Sequence, residues 1–169
     1  RRQMSDKMTK TAMEQMHPED AFHVIADKEF HEGIIGLVAG RIMNETHRPT
    51  LVLAPSAQGY KGSVRSVPGL DIQVFFEDLR GYLIQFGGHA QAAGIEVAAD
   101  QLEPLRQAIL AKMETLDLAL PEPTLQVLPV SAQEINLTAL HELDQLAPFG
   151  QQFEPVTFEV SGLTILQYA

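Results

Sequence analysis

The rhythm of apolar and polar positions changes repeatedly along the chain, and each change marks an element. Residues 1–16 place Met4, Met8, Ala12 and Met16 at four-residue spacing among lysines and glutamates, which predicts a helix lying on another surface. Pro18 ends it. Residues 21–27 (Ala-Phe-His-Val-Ile-Ala-Asp) form a short, partly β-branched apolar run, as a buried strand does. From 31 to 47 the pattern predicts a helix with Ile34, Leu37, Val38 and Ile42 on one face, stopped before Pro49. Residues 50–54 and, after the Gln58-Gly59 turn, 60–67 predict two more strands. Gly69 and Asp71 read as a turn and an N-cap for a helix over 72–85. A glycine-rich stretch, 86–94, leads into a strand at 95–98 and an amphipathic helix at 101–116. Strands alternating with helices predict an α/β layer structure.

The style then changes. Pro121-Glu122-Pro123 is the best linker, because two prolines flanking one residue resist both helix and central strand. Beyond it, strands over 125–130 and 156–166 are expected around a helical stretch at 136–146, too few strands for a stand-alone core. The expected division is a helical connector at 1–20, an α/β domain at 21–120, and a linker with the start of a β domain at 121–169.

Composition narrows the function. The chain has 169 residues, no cysteine, and 12 Lys+Arg against 22 Asp+Glu, a net charge of -10 that argues against a uniformly basic nucleic-acid binder. The absence of cysteine excludes disulfides, thiolate zinc sites and thiol nucleophiles, and fits a reducing cytoplasm. No apolar run approaches the ~18 residues of a membrane span. The start, Arg1-Arg2-Gln3, lacks an initiator Met and a signal-peptide core, so the chain is expected to be a piece of a longer protein. Charge is uneven: residues 95–169 hold Arg106 and Lys112 against eleven acids, whereas residues 29–94 hold five basic and six acidic groups. The near-neutral first half, with five of the six histidines, can still present a local anion site.

Three stretches could carry chemistry. Gly87-Gly88-His89-Ala90-Gln91-Ala92-Ala93-Gly94 surrounds one imidazole with small residues that let a backbone approach a bulky anion; the alternative is a glycine helix cap with a core histidine. His31-Glu32-Gly33-Ile34-Ile35-Gly36-Leu37-Val38-Ala39-Gly40-Arg41 puts three glycines on or near one helix, each costing roughly 1 kcal/mol against Ala in a helix interior, for close packing or for exposing the helix N-terminus to a phosphate. Lys61-Gly62-Ser63-Val64-Arg65-Ser66 alternates, so that Lys61, Ser63 and Arg65 share one strand face, either a phosphate clamp or a solvated edge. Arg41, Arg48 and Arg80, taken singly, read as surface or salt-bridge residues. P-loop, Gly-x-Ser-x-Gly and Gly-x-Gly-x-x-Gly motifs are absent, and no metal-ligand spacing occurs, which argues against a self-contained metal hydrolase.

Together these blocks resemble the DHHA1 region of the DHH phosphoesterase superfamily, and within it the RecJ family of bacterial single-strand-specific DNA exonucleases. Residues 87–94 match the Gly-Gly-His-x-x-Ala-Ala-Gly signature, preceded in order by His31-Glu32-Gly33-Ile34-Ile35-Gly36 with Arg41, Arg48-Pro49-Thr50, and Gly62-Ser63-Val64-Arg65-Ser66. Leu146-Ala147-Pro148-Phe149-Gly150 with Glu154-Pro155-Val156 resembles the entry to the family's OB-fold, departing from it at Gln151-Gln152-Phe153. The resemblance implies a DHHA1-type mixed β-sheet flanked by helices, then an incomplete OB-fold-like β segment, with residues 1–20 as the connector from an N-terminal DHH domain. It implies the substrate-binding part of a metal-dependent 5′-to-3′ exonuclease of DNA repair and recombination, inactive alone. Ser63 and Arg65 would hold a DNA phosphate near the 5′ end, and His89 with the Gly87, Gly88 and Gly94 backbone would line the groove, with Arg41 and Lys61 as weaker contributors. Mn²⁺ or Mg²⁺ would be bound by the DHH domain, leaving no metal ligand or catalytic residue here. The implied partners are single-stranded DNA, the protein's own DHH domain, and a single-strand-binding protein or helicase. The other readings are part of a DHH phosphatase or oligoribonuclease acting on nucleotides or short oligonucleotides, and a stand-alone non-catalytic binding module.

Overall fold

In the computed structural model, which describes residues 2–116, 126–149 and 155–164, a five-stranded sheet organises the first of two units, Arg1–Glu122. Its strands are β1 (His23–Ala26), β2 (Thr50–Ser56), β3 (Gly59–Arg65), β4 (Gln85–His89) and β5 (Ala92–Val97), in the order β1-β2-β3-β5-β4. β1 and β2 pair in parallel, joined by helix α2 (Ile35–Thr46), and the remaining pairs are antiparallel. The sheet is therefore mixed and flanked by helices, the α/β class that the strand and helix rhythm predicts.

Alternation along the strands sends apolar residues to both faces of β2, Leu51 and Leu53 to one and Val52 and Ala54 to the other, all fully buried. The first face packs against α3 (Ile72–Glu77), through Ile72, Phe75 and Phe76, and α4 (Leu102–Thr115), through Leu105, Ile109 and Met113. The second packs against α1 (Arg2–Gln15), through Met8 and Ala12, and α2, through Ile35, Val38, Ala39 and Ile42. Leu37, expected on that apolar stripe, is 60% exposed, because the buried stripe runs through Ile35, Val38, Ala39 and Ile42, and a residue two positions from Ile35 and from Ala39 faces away from it.

Asp71 caps α3 as its sequence suggests, its carboxylate accepting from the N–H groups of Gln73 and Val74. The expected helix over 72–85 nevertheless stops at Glu77, a 3-10 turn follows at Arg80–Tyr82, and Gln85 already belongs to β4. Pairing overrides the periodicity here: Phe86 must reach the core, where it stacks on Phe76 at 5.5 Å between ring centroids. The glycine-rich stretch is likewise no loop leading into a strand. It forms a β-hairpin, β4 and β5, whose tip is tied down by Ile72 N–H to Ala90 O and Ser66 N–H to Gln91 O.

His23, at the start of β1, is 1% exposed, and neither ring nitrogen has a hydrogen-bond partner among the described residues. Burial pushes its pKa below the ordinary value, opposed by nearby Asp20 and assisted by Arg48.

In the second unit, Pro123–Ala169, β6 (Val127–Pro129) pairs in parallel with β7 (Thr157–Glu159), and α5 (Leu137–Asp144) is capped by the Asn136 side chain accepting from Ala139 N–H. The linker Pro121-Glu122-Pro123, Leu125, Gly150 to Glu154 and the end of the 156–166 segment lie outside the described residues. Among the described residues no helix is long and apolar enough to cross a membrane.

Candidate phosphate-binding cleft

Register aligns the candidate residues in rows across the sheet face that carries α1 and α2. One row runs Ile25–Val52–Ser63–Gly94–Gly87 from β1 to β4, and the next runs His23–Thr50–Arg65–Ala92–His89. A third joins Ala54, Lys61, Glu96 and Gln85 across β2, β3, β5 and β4. Directly paired residues point to the same side of a sheet. Lys61, Ser63, Arg65, Gly87, His89 and Gly94, drawn from three strands, thus share one face.

That face is covered over β1 and β2 and opens beyond β3 into a cleft of about 600 Å³, lined by Ser63, Lys61, Gly87, Gly94, Gly36 and Glu32, with Gln85 and Glu96 at one end. The glycines differ in why they are glycine. At Gly62, on the opposite face, a Cβ would lie 2.6 Å from Leu51 Cδ1 and 2.8 Å from Ile95 Cγ1, so packing forbids it. At Gly88 it would strike the β5 backbone at Ala92 O and lie 2.5 Å from Ala93 Cα, so hairpin closure requires glycine there and Gly88 is not among the cleft-lining residues. At Gly87 it would meet nothing within 4 Å, and at Gly94 only Gly87 O at 3.9 Å. Nothing among the described residues demands those two glycines; they make a floor of bare backbone open to whatever enters the cleft.

Arg65 and His89 share this face by register but are not among the residues that line the cleft; Arg65 lies beside it, bonded to Ser63. Its Nη1 donates to Ser63 Oγ and to Val64 O, both at 2.9 Å, which fixes the guanidinium while leaving Nη2 as a donor. The first turn of α2 abuts this pair, with no side-chain cap from Ile34 on its leading N–H groups. Lys61 is engaged by Glu32 at 3.2 Å, both half-exposed, and Glu96 accepts from Ser56 Oγ at 3.0 Å. Along this face Ser63 and Arg65 thus stand together, while Lys61 two residues away shares its stretch with the carboxylates of Glu32 and Glu96. His89 is exposed at the far end of the Arg65 row, its Nδ1 accepting from Gln91 N–H at 3.3 Å. Arg41 stands apart: it pairs with Asp6 of α1 at 2.5 Å and lines a separate groove between α1 and α2.

Sequence reasoning missed Gln85 and Glu96, which enter only through strand register, and the role of Glu32, which the turn before α2 brings to Lys61; it left Gly36 undecided between packing and phosphate exposure. Among the described residues no group of three or more His, Asp or Glu side chains is placed to hold a metal ion.

The family model of the DHHA1 domain matches residues 19–115. The chain is 35% identical over 138 residues to the single-stranded-DNA-specific exonuclease RecJ of Salmonella typhimurium, covering 78% of this chain and 24% of that protein. It is 32% identical over 154 residues to RecJ of Thermus thermophilus, covering 89% and 22%. The crystal structure of Thermus thermophilus RecJ in complex with Mn²⁺ matches with a TM-score of 0.80 at 26% identity, covering 94% of this chain and 24% of that one. Its Mg²⁺ complex matches at 0.74 and 28% identity, covering 91% and 24%. The chain spans 24% or less of the length of each of these relatives. With the family match covering the sheet, both hairpin strands and every cleft residue, the chain belongs to the DHHA1 domain family and is similar in sequence and fold to RecJ exonucleases.

Proposed function

We propose that this chain is the substrate-positioning part of a RecJ-type 5′-to-3′ single-stranded-DNA exonuclease of DNA repair and recombination. The observation that carries the reading is the open half of the sheet, where Ser63 and Arg65 stand beside a glycine floor with no packing role among the described residues. A guanidinium and a hydroxyl suit phosphate oxygens, and bare backbone lets a sugar-phosphate chain lie close. His89 supplies a donor at the far rim, and Lys61 becomes available when a phosphate competes with Glu32. Similarity to exonucleases whose structures hold Mn²⁺ or Mg²⁺ supports a divalent ion in the intact protein, bound by a DHH domain to which residues 1–20 connect. Chemistry and positioning are then divided between domains. Residues 21–120 are the positioning domain and 121–169 the approach to an OB-fold. The reading extends to a cytoplasmic enzyme, with a single-strand-binding protein or helicase delivering the strand.

Direct binding tests it. Fluorescence anisotropy with a 5′-phosphorylated, single-stranded oligonucleotide should show weak affinity that falls steeply with salt. Arg65→Ala should reduce it about tenfold or more, the scale of one lost charge-assisted contact. The chain alone should not degrade the strand in Mn²⁺. Equal affinity of the Arg65→Ala variant, or metal-dependent digestion by the pure chain, overturns the reading. Preference for mononucleotides over long strands would favour the phosphatase alternative.

A further inference from the structure

Gly36 sits in the first turn of α2, above β3. A Cβ there would lie 3.0 Å from Arg65 Nη2, 3.2 Å from Ser63 Oγ and 3.8 Å from Arg65 Cζ. Both polar contacts are tighter than carbon normally tolerates, so any side chain at this position must displace the guanidinium, the hydroxyl or both. The shift needed is a few tenths of an ångström, and because Arg65 Nη1 donates to Ser63 Oγ and Val64 O, it alters the geometry that aligns the two side chains.

The neighbouring glycines make the contrast. At Gly40, one turn further along the same helix, a Cβ would meet nothing within 4 Å, and at Gly33 it would meet only the His31 ring at 3.2 Å. Glycine in a helix carries an entropic penalty relative to Ala, and at Gly36 no apolar neighbour explains it. The atoms closest to that position belong to Ser63, which lines the cleft, and to Arg65 beside it.

We propose that Gly36 is a positioning residue that sets the pose of Arg65 and Ser63 for phosphate binding. It acts through those two side chains, by keeping clear the space against which they rest. This rests on the reading of Ser63 and Arg65 as phosphate ligands.

The test is a double-mutant cycle on the 169-residue chain, read by anisotropy with 5′-phosphorylated single-stranded DNA at low ionic strength, with thermal unfolding of each variant alongside. Gly36→Ala should weaken binding about tenfold while Tm holds or rises, because Ala favours the helix. Added to Arg65→Ala, the same change should cost clearly less, since of the two groups it displaces only Ser63 remains. Undiminished affinity of Gly36→Ala, or an equal loss with and without Arg65, overturns the role of Gly36. If Arg65→Ala by itself binds like the native chain, the phosphate reading fails first and takes this inference with it. Gly40→Ala is the control, expected to leave affinity unchanged.

Discussion

On one face of one sheet, the half built from β1 and β2 and the half built from β3, β5 and β4 follow opposite rules. The row Ile25–Val52–Ser63–Gly94–Gly87 begins with β-branched residues under α1 and α2 and ends in open glycines. The next row begins at His23, buried and, among the described residues, unpartnered, and ends at His89, exposed. Backbone pairing continues through both halves, so the strands do not explain the change. What differs is the cover: α2 ends its apolar contact over β2 and presents its first turn to Ser63 and Arg65. Where the described helices stop covering the face, apolar residues give way to polar side chains and two bare glycines, the make-up of a surface able to take a ligand.

The covered half should break first and hardest. Ile25→Ala removes a buried side chain from the first row and should cost about 2–5 kcal/mol in chemical unfolding, with strand affinity per folded molecule unchanged. A loss of affinity out of proportion to the folded fraction would mean that the halves are not independent. Next in size, Gly40→Ala in α2, where the site of the new methyl is empty, should stabilise by about 1 kcal/mol. Destabilisation would show that this glycine serves more than the helix.

The smallest effect is expected from His23. Its folded-state pKa lies below the ordinary value of 6.5, so the neutral form is favoured in the fold. The stability it confers is fully present above about 6.5 and is lost as pH falls from there through the lowered folded value. Urea midpoints should therefore decline below that pH, and His23→Leu should flatten the decline. An unchanged slope in the variant would assign the acid sensitivity to other groups.

The strand and helix alternation was legible in the chain, as were the Asp71 cap and the shared face of Lys61, Ser63 and Arg65, because each rests on local spacing. The hairpin was not. Glycine is depleted from strands, so Gly87 and Gly88 read as a cap or loop until pairing with β5 and the stacking of Phe86 on Phe76 fixed them as β4. The rows across the sheet were equally hidden, since register is set between strands distant in sequence. For the same reason the motif carried Gly87, Gly88 and Gly94 as one set, whereas Gly88 closes a hairpin and the other two clear a cleft. The short-range signal for Gly36 was present, three glycines around one helix, but only the placement of α2 over β3 separates it from Gly40.

The central claim, that the open half takes a ligand, is tested most directly by filling it. Gly94→Val and Gly87→Val place a branched side chain where the chain itself has room, and valine suits a strand. Both variants should unfold at or above the native midpoint and bind single-stranded DNA about tenfold or more weakly, as expected when a backbone contact surface is blocked. Native affinity in a fully folded Gly94→Val protein would contradict the account.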